Sequence, residues 1–286
     1  MSIRIGARLF EGPGPFLMGI VNATPDSFSD GGRFLEPSAA VDHALRLADE
    51  GADVVDLGGE STRPGAPPVP EAEELRRVVP VVEALRARGF PLPISVDTTK
   101  AAVARAAFAA GADLLNDVRA LADPALARAA ADAGVPVVLM HSRGGPADMA
   151  SRAVYADVVA EVRAELEAAL VRAEAAGIPR ERTLLDPGLG FAKTAAQSVE
   201  LLARLAELRS LGRPLLVGPS RKSFIGVVTG APLSQRLPGT LAAVTAAVLA
   251  GSEWVRVHDV AAARQAARLA AAIRDAASVV HGGDPR

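Results

Sequence analysis

Eight short apolar runs in this chain each give way to a residue that can hydrogen-bond or ionise. These residues are Asn22, Asp56, Asp97, Asn116, His141, Asp186, Ser220 with Lys222, and Arg256 with His258. If the runs are the strands of an α/β protein, their carboxyl ends share one face, and these groups converge on one pocket. Two chemistries are then on offer. Asp97, Asn116 and Asp186 supply acceptors and an amide, suited to the edge of a flat nitrogen heterocycle such as an amino-pyrimidinone, whose parallel N–H donors match a carboxylate. Arg63, Lys222, Arg256 and His258 supply positive donors, suited to a phosphate. Arg256 and His258 are alternate residues, so on a strand they face the same way.

Plainer explanations compete. Asp and Asn follow strands as turn formers or helix caps. His258 could be a core imidazole and Arg256 a surface charge. Eight such residues together weaken that view, because caps accept Ser, Thr or Gly equally well. Asp56 is the member easiest to read as structural, since Gly58-Gly59 follow it and Ser61 competes for the same loop bonds. The set is too poor in His for a transition-metal site, and a carboxylate with amides suits a hydrated Mg²⁺ at most. Ser220 precedes Arg221-Lys222 and is not in a nucleophile elbow.

The elements that must hold these groups alternate along the chain. Val/Ile/Leu-rich runs (Phe16–Val21, Val54–Leu57, Ile94–Val96, Leu114–Leu115, Val137–Met140, Leu184–Leu185, Leu215–Val217, Trp254–Val257) are each followed by Ala/Glu/Arg-rich stretches of helical period. The helices are expected to begin near Pro37, Pro70, Lys100, Asp123, Val154, Ala195 and Leu237, and after Asp259. Continuous apolar runs suit parallel strands buried on both faces. Eight βα units in 286 residues suit an α/β fold of the closed (β/α)₈ TIM-barrel type. A doubly wound open sheet is disfavoured, because no glycine-rich phosphate fingerprint follows the first strand. Residues 3–12 alternate and turn, so they are expected to form a small β-hairpin closing the barrel bottom. No linker divides the chain, so residues 1–286 read as one domain.

Two loops stand out. Asn22 to Gly32 carries Pro, Asp, hydroxyl residues and the exposed-looking Phe28; Gly58 to Gly65 carries hydroxyls and Arg63. Both suit mobile segments over the barrel mouth that close on a substrate. Phe191 and Lys193, after Gly188-Leu189-Gly190, add a third polar rim element.

Composition excludes several classes. Net charge is -2 with no basic run, which argues against a nucleic-acid partner. The chain has no Cys, which removes disulfides, thiolate metal sites and Cys nucleophiles. The amino terminus shows no apolar signal core, and Leu241 to Leu249 is too short and Ala-rich to span a membrane. A soluble cytoplasmic enzyme is expected.

The segments Met18-Gly19-Ile20-Val21-Asn22-Ala23-Thr24-Pro25-Asp26-Ser27-Phe28-Ser29-Asp30-Gly31-Gly32 and Asp56-Leu57-Gly58-Gly59-Glu60-Ser61-Thr62-Arg63-Pro64-Gly65 resemble those of the dihydropteroate synthase family. So do Ser95-Val96-Asp97-Thr98, Asn116-Asp117-Val118, Asp186-Pro187-Gly188-Leu189-Gly190-Phe191, Ser220-Arg221-Lys222-Ser223 and Arg256-Val257-His258-Asp259. The resemblance spans nearly the whole chain in order, and the two long segments are highly specific. It implies condensation of 6-hydroxymethyl-7,8-dihydropterin diphosphate with 4-aminobenzoate in folate synthesis, giving 7,8-dihydropteroate and diphosphate. By that resemblance Asp97, Asn116, Asp186 and Lys222 hold the pterin. Asp56, Met140 and Gly218 join the substrate-binding set. Arg256 and His258 hold the diphosphate, with Mg²⁺ at Asn22 and, on loop closure, Asp30. Phe28, Thr62, Arg63, Pro64, Phe191 and Ser220 form the aminobenzoate pocket. Asp97, Lys222, Arg256 and His258 are the residues assigned to catalysis, and a homodimer through helices late in the chain is implied. Thr99 stands where the family has an aromatic residue, and Ser142-Arg143 where it has Met-Gln.

Two rival readings use the same barrel. A corrinoid methyltransferase acting on a tetrahydrofolate would need the pterin-facing Asp and Asn but not Arg256, His258 or the Thr62-Arg63-Pro64 loop. A non-catalytic pterin-binding paralogue would not keep Asn22, Arg63, Lys222 and His258 together.

Overall fold

The computed structural model describes residues 1–23, 37–61 and 65–281, with side chains to residue 277. Phe28, Asp30, Thr62, Arg63 and Pro64 lie outside the described residues.

A hairpin of β1 (Ser2–Ile5) and β2 (Arg8–Glu11) precedes the barrel. Then come β3 (Phe16–Asn22), α1 (Pro37–Asp49), β4 (Val54–Gly58), α2 (Glu71–Ala87), β5 (Ile94–Asp97), α3 (Ala101–Ala109), β6 (Leu114–Asp117) and α4 (Pro124–Ala133). The second half holds β7 (Val137–Met140), α5 (Val158–Ala175), β8 (Thr183–Asp186), α6 (Ala195–Ala203), β9 (Leu216–Val217), α7 (Ser223–Thr229), α8 (Leu237–Leu249), β10 (Trp254–Val257) and α9 (Val260–His281). The last eight strands form one parallel sheet in the order β8-β7-β6-β5-β4-β3-β10-β9. A single bridge between Leu185 and Leu215 joins its edges and closes the TIM barrel.

Strand parity sorts the core into two. Leu17, Val21, Val55, Leu57, Val96, Leu115, Leu139, Leu185, Val217, Val255 and Val257 face outward and pack with the helices. The alternate residues Met18, Val54, Leu114, Val138, Leu184, Leu216 and Trp254 face inward and meet Ile3, Ile5 and Phe10 of the hairpin. The hairpin therefore plugs the barrel bottom, as its alternation led one to expect. Phe10, Phe16 and Trp254 stack there with ring centroids 4.8–5.2 Å apart. Each such pair adds about 0.5–1.5 kcal/mol beyond burial. With the amino-terminal half of the interior filled by apolar side chains, a cavity can form only at the carboxyl end.

The structure differs from the sequence reading at several elements. α5 starts at Val158, where Asp157 caps it by accepting from the Val159 and Ala160 N–H groups, and not near Val154. β9 has only two residues, and Leu215 makes the closing bridge instead. α7 has no counterpart in the expected list: its seven residues are too few to show a period, although Phe224 and Ile225 bury. Leu241 to Leu249 packs within α8, and no helix among the described residues is long and apolar enough to cross a membrane.

Candidate active site

Continuing the inward parity past the apolar plug gives Asn22, Asp56, Gly58, Ser95, Asp97, Asn116, Met140, Asp186, Gly218 and Arg256. The strand registers pair Asn22 with Gly58, Asp56 with Ser95, Gly58 with Asp97, Asp97 with Asn116, and Met140 with Asp186. The same alternation that builds the plug thus lines the open end with polar groups. Gly58 and Gly218 add no side chain here: a Cβ on Gly58 would come into ordinary contact with Asp97 at 3.6 Å, and one on Gly218 with both Asp186 and Arg256 at 3.8 Å.

Asp56 corrects the sequence reading. It is not a turn former but the third residue of β4, fully buried, at the hub of the site. Its Oδ2 accepts from Asn116 Nδ2 at 2.9 Å and from Arg256 Nε at 2.6 Å. Arg256 Nη2 donates to Asp97 Oδ2 at 2.7 Å. One guanidinium thus bridges two carboxylates, a fork geometry that Lys could not supply. Burial opposes the Arg256 charge, but Asp56 and Asp97 outweigh it and hold its pKa above the usual value. Among the described residues, Asp56 Oδ1 and Ser95 Oγ have no hydrogen-bond partner. Both residues are fully buried.

Asp97 and Lys222 set the local electrostatics. Burial pushes the Asp97 carboxyl up to about 7, against the pull of Arg256 and with help from Asp56. Burial also lowers Lys222 to about 8, against the pull of Asp186. Asp186 is raised by burial and steadied by Lys222 and by the Gly188 N–H, which donates to its Oδ1 at 2.7 Å. A ring that donates to Asp97 needs the carboxylate ionised, and one that accepts from Lys222 needs the ammonium. Affinity for such a ring should therefore rise with pH through about 7, as Asp97 loses its proton, and fall again through about 8, as Lys222 discharges. Calorimetric titration of an amino-pyrimidinone ring compound between acid and alkaline pH checks this; a flat profile would rule out both groups as ring contacts.

The rim is held from several sides. Ser220 Oγ accepts from the His258 backbone N–H at 3.2 Å and shares a 2.9 Å hydrogen bond with His258 Nδ1, orienting the ring. Between Ser220 and Lys222, Arg221 adopts a left-handed φ of 55°. That strain is tolerated because its guanidinium forks onto Asp259 and its N–H donates to Thr240 Oγ1. The kink lets Ser220 and Lys222 both face the barrel mouth. Lys222 Nζ donates to the Leu189 carbonyl and lies 4.6 Å from the centre of the Phe191 ring.

His141 does not join this cluster. One residue beyond Met140, it has the opposite parity and turns outward to Glu165 on α5. Arg143 also pairs with Glu165 and donates to Glu161 at 2.7 Å. Sequence reasoning missed these helix partners, and missed the Lys100 bridge to Glu60 and Glu74 behind the second loop. Glu74 lies in the first turn of α2 among other acids, where a solvated charge is the ordinary reading, yet it is fully buried. Asn22 ends β3, interior-facing and half-buried.

This geometry has counterparts. Residues 18–258 match a family model described as pterin binding enzyme. A dihydropteroate synthase of Synechocystis is 46% identical over 272 residues, covering 94% of each chain. The chain belongs to the dihydropteroate synthase family. A solved Xanthomonas albilineans dihydropteroate synthase with 4-aminobenzoic acid superposes at a TM-score of 0.89 with 51% identity, covering 96% of this chain and 98% of that one. A structure from the same organism in complex with 7,8-dihydropteroate gives 0.86 with 48% identity, covering 96% and 99%. The family match runs from Met18 in β3 to His258 just past β10, and so takes in the barrel sheet as well as its loops.

Proposed function

We propose that this chain is a dihydropteroate synthase acting in folate synthesis. It condenses 6-hydroxymethyl-7,8-dihydropterin diphosphate with 4-aminobenzoate and releases diphosphate. The observation that carries this reading is the two-sided site at the barrel mouth. An acceptor wall of Asp97, Asn116 and Asp186 stands beside a donor wall of Lys222, Arg256 and His258.

On this reading the pterin's amino-pyrimidinone edge lies against the buried acceptors. The unpaired Asp56 Oδ1 supports it, because a buried acceptor without a donor costs about 1–3 kcal/mol and a bound polar ring or its water relieves that cost. The diphosphate lies toward His258 and Arg256. Arg256 spends Nε and Nη2 on the two carboxylates. Its remaining amino group can serve the leaving group.

No general base is required, since an arylamine is a neutral nucleophile. The difficult step is loss of diphosphate from a methylene conjugated to the ring. The donor wall stabilises charge growing on the leaving oxygens, while Asp97 and Asp186 favour positive charge on the ring, so the path is SN1-like. On this reading the aminobenzoate approaches the methylene from the side of Ser220 and Phe191.

Mg²⁺ fits this scheme as a visitor brought by the substrate. Among the described residues no three His, Asp or Glu side chains converge on a metal position. Asn22 offers one hard oxygen, and a hydrated Mg²⁺ on a diphosphate needs few protein ligands. Such an ion would neutralise charge on the departing diphosphate.

The reading is tested by following diphosphate release with both substrates. The expected outcome is release that needs both and is suppressed by EDTA. Tight pterin binding with no release above background would instead favour the non-catalytic reading, and methyl transfer from a tetrahydrofolate the corrinoid one.

We place the enzyme in the cytoplasm as a homodimer. Val227 and Val228 on α7 and Leu269 and Ile273 on α9 are large apolar side chains at least half exposed. Leu269 and Ile273, four residues apart, share one helix face. A second copy covering this late-helix surface gives a solution mass about twice 29.3 kDa by light scattering. A stable monomer at micromolar concentration would refute the assignment.

A further inference from the structure

We propose that Lys193 is a positioning residue for the proposed synthase reaction: it latches the loop between β8 and α6 so that Phe191 and the Leu189 carbonyl stay against Lys222. Lys193 is buried, and its Nζ donates to the Gly188 carbonyl at 3.1 Å, the Phe191 carbonyl at 3.0 Å and His141 Nδ1 at 2.8 Å. An ammonium has three N–H donors and no acceptor, so the three partners saturate it. This fixes the imidazole as well. Nδ1 must accept, so Nε2 carries the proton and donates to Glu165 Oε2 at 3.0 Å. Glu165 is in turn held by Arg143, whose guanidinium lies 3.9 Å from the centre of the Tyr155 ring.

The loop needs such a latch. Gly188 at φ 68°, Gly190 at φ 77° and Ala192 at φ 47° all take the left-handed conformation. At Ala192 this is strained, and such residues persist only where surrounding contacts over-determine them. Here the contacts come from several elements at once. Tyr155 Oη donates to the Ala192 carbonyl at 3.0 Å, Ser198 Oγ accepts from the Gly190 N–H at 3.2 Å, and Lys193 binds the carbonyls on either side of Gly190. The outward turn of His141 therefore has a purpose: it brings an acceptor under the loop that carries Phe191.

The charge is held under tension. Burial first, then Lys222, brings Lys193 down to about 7, against the pull of Asp186 and Glu165. Burial likewise lowers His141 to about 4, so the imidazole is neutral and fit to accept.

The test is Lys193→Met in the full chain, which removes the three donors and leaves an apolar side chain of similar length. Two readouts are taken. Hydrogen exchange of the Gly188–Phe191 amides should speed up, and the KM for 4-aminobenzoate should rise about tenfold while kcat and pterin affinity stay within about threefold. A merely structural lysine would lower the apparent kcat through lost folded enzyme and leave the KM for 4-aminobenzoate unchanged. The kinetic arm rests on the activity proposed above, and the exchange arm does not. Unchanged exchange in the loop overturns the latch, and faster exchange with an unchanged KM overturns its positioning role. Failure of the unsubstituted chain to release diphosphate counts against the proposed activity instead. Should Lys193→Met not fold, Lys193→Gln keeps a polar head but shortens its reach and cuts its three N–H donors to two. It should give the same two changes at about threefold scale, and no change in either would overturn the latch.

Discussion

Asp97→Asn should weaken pterin binding about 100-fold or more while leaving the barrel folded. In the proposed complex the carboxylate accepts from two ring N–H donors. An asparagine keeps one acceptor and turns an N–H toward the second donor, which is left buried, unpaired and opposed, at about 3 kcal/mol. The fold should survive because Arg256 keeps its bond to Asp56 Oδ2 at 2.6 Å, and Asn116 keeps its own to the same oxygen. Calorimetry with a pterin, alongside thermal unfolding, separates the two effects. Affinity within about threefold of the unsubstituted chain would remove Asp97 from the ring edge.

Arg256→Gln should be the most disruptive single change in the site, for both stability and rate. Asp56 is fully buried and Asp97 nearly so, and both spend an oxygen on this guanidinium. Taking one partner from a buried ion network costs about 3–5 kcal/mol, because the stranded charges remain. For a chain this size that is about a 10 °C fall in the unfolding midpoint. Rate should fall further, by about 100- to 1000-fold in kcat, since on the proposed reading a donor to the departing diphosphate is lost. Adding Asp56→Asn to Arg256→Gln should restore part of the stability and none of the rate. That split tells a stranded charge from a damaged fold, and equal stability in the single and double variants would deny that Arg256 and Asp56 are coupled.

The barrel was legible in the sequence because its strands are buried on both faces and so read as continuous apolar runs. The groups at the site were legible for the same reason, since Asp97, Asn116, Asp186 and Arg256 interrupt or end those runs. What could not be read was parity near the strand ends. Asp56 lies inside β4 and faces inward, whereas its neighbours Gly58 and Gly59 suggested a turn. His141 stands one residue past an inward Met140, and so points away from the cluster it seemed to complete. Long-range partners were hidden as well. Glu165 and Glu74 sit on helices whose polar faces look solvated, and only the tertiary fold brings Lys193 with His141, or Lys100, within reach of them. α7 was missed because a seven-residue helix has too little length to declare a period.

The central claim is that the acceptor wall reads a pterin edge while the donor wall takes its diphosphate. A crystal structure of this chain soaked with 6-hydroxymethyl-7,8-dihydropterin diphosphate tests it most directly. The expected map shows the ring inside the barrel mouth, within hydrogen-bond distance of Asp97, Asn116, Asp186 and Lys222, with the diphosphate against Arg256 and His258. A ring bound outside the mouth, or a diphosphate turned away from Arg256 and His258, would contradict it.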